Sequence, residues 1–467
     1  MFASKIESSE LEDRFDAKYY DPRFIEIVKK AKKNRLIEVK LLRKMSTRVK
    51  KGIFEIRASE YKKEGIPFIR VTNVKTLNLN TRGIARISAE RSTKNSQTEL
   101  RPGDIVITKG GTLAIGTVAP IPPWIKLCNV CQDIIAVSLA KKENNPWYVS
   151  AFLASRYGKI QFQRIKTQQN QPHLTLDPVK NLRIFVPKNA NEIGGLVERA
   201  QKLAGSALNV MQEAIELVNQ SIEIKIPQKE SRMFGIKSAD LQEMLTPKFY
   251  YPLYDITLKK MMAKFNTVKL DAEIASIERG VEVGSKQYRQ YLEKRGDDVP
   301  FVRTSDIVNY TIDDFPDYFV ARGLFDRYQQ DLREGDILFA NDGKIGPSAM
   351  IVKGDECIIQ SHIRRVRLRK VFAPEFVFAF LNTKFGLYQV FRRMFVQATI
   401  ATIGNGLSEL EVPVIDSGAQ SRVVALVKRA MKLEVERKAL IKKAREAVEN
   451  ILSRHPAVNS PSRHPRT

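Results

Sequence analysis

Two stretches of the chain repeat apolar residues every seven positions. Leu196, Leu203, Val210 and Leu217 form one ladder, with Ala200, Ala207 and Ala214 four positions after each of the first three rungs. At an offset of 230, Leu426, Leu433, Leu440 and Ala447 form the second, accompanied by Ala430, Arg437 and Ala444. Heptads sustained over about four repeats predict long helices that pair as a coiled coil, and small residues in the stripe let backbones approach closely. The pattern predicts helices over about 190–224 and 418–452 that pack antiparallel, with Leu196, Leu203, Val210, Leu217, Leu426, Leu433 and Leu440 at their interface. Arg437 stands inside the apolar stripe, where a charge sets register or meets a carboxylate.

Outside the ladders the pattern changes to short β-rich runs punctuated by Gly and Asp, such as 68–71, 104–107 and 336–339. Helical segments are expected over 147–162 and 374–395. These runs repeat as well. Lys18-Tyr19-Tyr20-Asp21-Pro22 recurs as Lys248-Phe249-Tyr250-Tyr251-Pro252, and Ile66-Pro67-Phe68-Ile69 as Val299-Pro300-Phe301-Val302. Leu100-Arg101-Pro102-Gly103-Asp104-Ile105 returns as Leu332-Arg333-Glu334-Gly335-Asp336-Ile337, in the same order. An internal repeat decides architecture before any motif does. The expected fold class is α+β: a mixed module (1–188), a helix (189–228), a second module (229–415) and a second helix (416–452), then a basic, Pro-containing tail (453–467) expected to be disordered.

Composition narrows the function. The 467 residues hold 78 Lys+Arg against 52 Asp+Glu, a formal charge of +26, which calls for a polyanion, and nucleic acid is the common one. The charge is uneven: 37 basic and 19 acidic side chains precede residue 201, and 41 and 33 follow. The longest uncharged stretch, 110–125, is short of the roughly 20 residues that span a bilayer and contains three prolines. Early acidic residues (Glu7, Glu10, Glu12) argue against a secretory leader, so a cytoplasmic protein is expected. Three cysteines make a disulfide scaffold a poor reading.

Enzyme motifs are partial. Gly111 and Gly116 have P-loop spacing, but Thr117 and Val118 follow where Lys and Ser or Thr are required. Cys128 and Cys131 have zinc-ligand spacing without a second pair, and Cys357 stands at the repeat position of Cys128, as a small core residue would. Asn145-Pro146-Trp147-Tyr148 lacks the second proline of an amino-methyltransferase motif and reads as a helix cap. Pro316-Asp317 followed by Asp342-Gly343-Lys344 fits a loose nuclease pattern that the first module lacks. With four histidines in the chain, general-base chemistry is thinly supplied. No catalytic residues, cofactor or metal are expected. The rival readings are a nuclease or methyltransferase with degenerate motifs and a non-specific basic scaffold.

Taken in order, the repeated blocks, the 112–116 run, His173-Leu174-Thr175, Leu182-Arg183-Ile184-Phe185-Val186-Pro187 and the heptad helix after each module resemble the specificity (S) subunits of type I restriction-modification systems. The second copy departs where Ile403-Gly404-Asn405-Gly406-Leu407 replaces His173-Leu174-Thr175. The resemblance implies two target-recognition domains. Each binds one half of a split double-stranded DNA site, and two antiparallel helices act as a ruler. The family subunit is itself not an enzyme, and recruits two methyltransferase subunits and, for cleavage, motor-nuclease subunits. A helix of about 30 residues is roughly 45 Å long, enough to hold two modules about one 34 Å turn of DNA apart. Candidate DNA contacts are Lys62, Arg70, Lys109 and the amide-rich Gln168, Gln169 and Asn170 in the first module. In the second they are Arg303, Lys344, Arg364, Arg365, Arg392 and Arg393. Asn and Gln can pair bidentately with adenine, whereas any single Lys or Arg is more often a solvated surface charge.

Overall fold

The computed structural model describes Leu11 and residues 19–452, except 112–113, 141–143, 168–171, 227–232 and 243. The candidates Gln168, Gln169 and Asn170 and the tail 453–467 lie outside the described residues. The fold is mixed α+β and divides into two compact units. One comprises residues 1–78, 85–199 and 440–467, the other 79–84 and 200–439.

In the first unit, Ser46–Lys51, Ile134–Leu139, Ile105–Thr108 and Val118–Pro120 form an antiparallel sheet in that spatial order. Every residue of Ile105–Thr108 is buried, as expected of a run that is apolar on both faces. A three-stranded sheet places Ile66–Ile69 between Ala85–Ile87, antiparallel, and Asn129–Val130, parallel. Ile37–Leu41 pairs with Arg183–Pro187. The helix expected over 147–162 is two helices, Pro146–Ala154 and Arg156–Ile165. Asn145 caps the first by accepting from the Trp147 and Tyr148 N–H groups, and the Ser155 hydroxyl caps the second by accepting from Tyr157. Phe152 packs edge-on against Phe185 at 5.2 Å, and the Tyr148 hydroxyl donates to the Phe185 carbonyl. Cys128 is fully buried, and burial pushes its thiol pKa up.

The second unit has the same strand order. Ala275–Arg279, Ile363–Leu368, Ile337–Ala340 and Ser348–Met350 form the four-stranded sheet. Val299–Val302 lies between Tyr318–Val320 and Ile358–Ile359, again with one antiparallel and one parallel neighbour. Thr267–Lys269 pairs with Glu411–Pro413. Here too the expected single helix is interrupted, into Pro374–Leu381 and Lys384–Arg392, with the Thr383 hydroxyl accepting from Gly386. A hairpin, Phe395–Gln397 with Ile400–Thr402, is additional.

The long helices run from Ala190 to Ile222 and from Ser417 to Glu449. Their centres differ from the sequence expectation. In the first, the buried stripe is Ile193, Val197, Ala200, Ala204, Ala207, Met211, Ala214 and Val218, at alternating spacings of four and three. Leu196, Leu203 and Leu217 are half-buried on its flank, and of that ladder only Val210 is buried. In the second, the stripe is Val423, Val427, Ala430, Glu434, Arg437, Ile441, Ala444 and Val448, with Leu426, Leu433 and Leu440 half-buried. The fully buried row is rich in small residues, and Leu217, Leu426 and Leu433 pack against its edge. Within the second unit, residues 210–222 and 419–431 share one core with Phe376, Phe378 and Phe380. The C-terminus of the first long helix is closed by Lys264, whose ammonium donates to the Ile222 and Glu223 carbonyls at 3.0 Å each.

Arg437 is completely enclosed. Its guanidinium donates to Asp314 at 2.5 and 3.1 Å and to Glu434 at 2.6 Å, so the charge expected inside the stripe meets two carboxylates. Lys438 continues the cluster to Asp355 at 2.5 Å.

Candidate nucleic-acid interface

In each unit one short turn gathers the ends of several strands. In the first it is Cys131-Gln132-Asp133, ahead of the strand Ile134–Leu139. The Cys131 N–H donates to the Ile69 carbonyl at 3.0 Å, the Lys109 N–H to Asp133 at 2.7 Å, and the Gly52 N–H to Ile134 at 3.1 Å. A Cβ at Gly52 would lie 2.2 Å from the Val130 and Cys131 carbonyl oxygens, so only glycine admits this approach. The Leu174 N–H donates to the Lys109 carbonyl at 2.9 Å, which brings His173 beside the turn.

The second unit repeats this wiring around Gln360-Ser361-His362. Gln360 donates to Val302 at 2.9 Å, Asn341 to His362 at 2.9 Å, Gly280 to Ile363 at 3.0 Å and Ile403 to Asn341 at 3.3 Å. Gly280 takes the place of Gly52, with a Cβ there meeting the Gln360 carbonyl at 2.2 Å. The backbone equivalences are therefore Lys109 with Asn341, Gly110 with Asp342, Asp133 with His362 and His173 with Thr402.

The side chains differ. Around the first turn, Arg70 is exposed, with its guanidinium carbon 5.9 Å from the Tyr61 ring centre. The Lys109 ammonium lies 3.9 Å from Asp133. The buried His173 Nδ1 has no hydrogen-bond partner among the described residues and lies 3.1 Å from the position a Gly110 Cβ would take. Lys62 is exposed, and so is Phe54, to 70%. Phe54 is an aromatic that sequence pattern alone places in the core.

Around the second turn, Asp342 accepts from the Thr402 hydroxyl at 2.5 Å and from the Asn341 amide at 3.0 Å, and lies 3.1 Å from His362 Nδ1. Burial alone would raise the Asp342 pKa; the bonds from Thr402, His362 and Asn341, with the field of Arg364, hold it below the ordinary carboxylate value. Lys344 is exposed on the adjoining turn, and half-buried Arg364 reaches the Ser361 carbonyl at 3.4 Å. Arg303 lies over the Tyr318 ring at 4.6 Å and pairs with Asp306 at 3.2 Å and Asp317 at 2.5 Å.

Three of the arginines chosen from the sequence are occupied elsewhere in the fold. Arg365 is 5% exposed, donating to the Gln330 and Asp331 carbonyls at 3.0 and 3.2 Å and pairing with Glu278. Arg392, 6% exposed, stacks on Phe249 at 3.7 Å and pairs with Asp255 at 3.2 Å. Arg393 is half-buried and donates to the Glu409 carbonyl at 2.9 Å. Buried guanidinium groups with internal partners serve packing, because leaving a pair to meet phosphate would strand a carboxylate or carbonyl. The solvent-facing set is therefore exposed Lys62 and Arg70 with half-buried Lys109 beside Asp133 in the first unit, and Lys344 with the rim of Arg364 in the second.

Comparison with solved structures finds matches along most of the chain. One is the type I restriction-modification system S subunit from M. genitalium, at 14% identity, covering 90% of this chain and 96% of that one with a TM-score of 0.37. A second is the HsdS subunit from Thermoanaerobacter tengcongensis, at 14% identity, 90% and 96% coverage and a TM-score of 0.26. The chain is similar to type I S subunits. A further match, to a chain solved for complex assembly and conformational transition of the type I restriction-modification system, has 14% identity, covers 90% and 97%, and has a TM-score of 0.27. No family model matches the chain, and no curated protein does. Among the described residues no helix is long and apolar enough to cross a bilayer.

Proposed function

We propose that this chain is the DNA sequence-specificity subunit of a type I restriction-modification assembly, without catalysis of its own. The observation that carries the reading is the repeated wiring. Two units with the same strand order each gather strand ends around one turn and set different polar and basic side chains on an identical backbone frame. A protein that reads two different half-sites needs this combination, because phosphate contacts position a protein while base-edge contacts specify sequence.

In this reading residues 1–188 and 229–415 are target-recognition domains, each taking one half of a bipartite double-stranded site. Lys62, Arg70, Lys109 and Lys344 grip phosphates, and Gln168, Gln169 and Asn170 reach bases from the first domain. The helices of 189–228 and 416–452 set the spacing. Two methyltransferase subunits, and motor-nuclease subunits for cleavage, supply the chemistry in the cytoplasm.

The test is co-expression with a type I methyltransferase subunit encoded beside it, followed by methylome sequencing. Methylation at one split sequence, two fixed half-sites around a constant gap, is expected. Methylation without a split motif, or none above the level of the methyltransferase subunit alone, overturns the proposal.

A further inference from the structure

The hairpin Phe395–Gln397/Ile400–Thr402 has an unusual surface. Five consecutive residues, Val396, Gln397, Ala398, Thr399 and Ile400, are exposed, none is charged, and Val396 and Ile400 are 69% and 44% exposed. In a chain of net charge +26 an ordered, uncharged, apolar projection stands out, because exposed strands are ordinarily blunted by charge. The tip is also strained: Ala398 has φ +55 in the two-residue turn, a position that favours glycine. Such strain persists only where the surroundings enforce it.

The surroundings are rigid and polar. The Gly343 N–H donates to the Ala401 carbonyl at 2.7 Å, and Thr402 is bonded to Asp342 in the cluster with His362. The hairpin root is thereby pinned to the turn that carries exposed Lys344, and Arg393 lies against Gly406 just behind it. The cross-strand register sets Gln397 opposite Ile400, on one face at the very tip. In the first unit, Thr167 and His173 exchange N–H···O bonds of 3.0 and 3.1 Å and close the equivalent loop, whose sequence carries the amides Gln168, Gln169, Asn170 and Gln171.

A two-stranded ribbon fits the major groove, about 12 Å wide. There a glutamine side chain can bond adenine N6 and N7 together, and an apolar side chain can meet the thymine 5-methyl group. We propose that this hairpin is the base-reading element of the second module, with Gln397 taking an adenine and Ile400 a thymine methyl in its half-site, while Lys344 at its root holds a flanking phosphate. The inference rests on the DNA-specificity reading above and adds the element, the residues and the bases.

The experiment selects binding sites from random duplex DNA with the full-length chain and with Gln397→Ala and Ile400→Ala. Both positions are solvent-facing, and thermal melting checks that each variant folds. The wild type is expected to enrich two half-sites. Gln397→Ala should lose about 5- to 150-fold preference at one A·T position of a single half-site, with the other half-site unchanged. Replacing the contacted thymine by deoxyuridine, which lacks the methyl, should cost the wild type about fourfold and Ile400→Ala nothing further. Two half-sites in the wild type that stay unaltered in both variants overturn the hairpin assignment alone. So does weaker association with a methyltransferase subunit at unchanged sequence preference, which makes the tip a protein contact. A wild-type chain that enriches no sequence overturns the specificity reading itself, and the assignment with it.

Discussion

At the scale of single residues, what matters about a cation is whether its charge is spent inside the fold. Arg70 and Lys109 stand at the convergent turn of the first unit with their charge toward solvent or a half-exposed aspartate, whereas Arg392 is stacked on Phe249 and paired with Asp255. Arg70→Ala and Lys109→Ala should each weaken binding to specific and random DNA alike and lower the slope of log affinity against log salt by about one. Arg392→Ala should leave that slope unchanged and lower the unfolding free energy. Affinity titrations at four salt concentrations beside urea unfolding separate the two classes. Sequence supplied all of these residues on equal terms. The distinction was not legible, because each partner (Phe249, Asp255, Glu278) lies more than 80 positions away along the chain and only the fold brings it near. The pairing of His362 with Asp342 was not legible either, although only 20 positions separate them, and the exposed Phe54, Val396 and Ile400 run against the rule that apolar residues go inside.

At the scale of elements, the heptad pattern located both long helices to within a few residues of their ends, because a seven-residue apolar period held over four repeats matches one face of a helix and not the two-residue alternation of a strand. In each helix the fully buried row is the companion of the leucine ladder, and the leucines are half-buried beside it. Period alone does not say which of two adjacent rows is buried: Ala200, Ala207 and Ala214, noted beside the leucines, lie in the buried row. The interruptions at Ser155 and Asn382-Thr383 were also missed, although Ser155 and Thr383 are residues of the type that caps a new helix. Arg437 was visible as an anomaly, and its partners explain it. Arg437→Leu leaves Glu434 and Asp314 buried without their shared cation, and should cost about 3–5 kcal/mol of stability, read from the denaturation midpoint. A loss below about 1 kcal/mol would mean that water or another cation reaches those carboxylates.

At the scale of the whole molecule, the order of repeated blocks in the sequence reappears as one strand order in each unit, so the repetition was legible where the side-chain wiring was not. The proposed ruler gives a length prediction. Removing Ala204–Val210 takes out seven residues, about 10 Å of helix, equivalent to about three base pairs of duplex. Methylome sequencing of that variant should show a gap shorter by about that number between unaltered half-sites, or no methylation at all. An unchanged gap would refute the ruler. In the proposed role, the two turns also bear on how a new target could be acquired. Around the first, an aspartate sits on the turn and a histidine on the neighbouring loop; around the second, the histidine is on the turn and the aspartate opposite it, on the same backbone bonds. A frame that accepts both arrangements behaves as a socket for interchangeable side chains. A duplicated copy can drift to a new half-site through a handful of substitutions without refolding, and an engineer can treat the same positions as the ones to randomise.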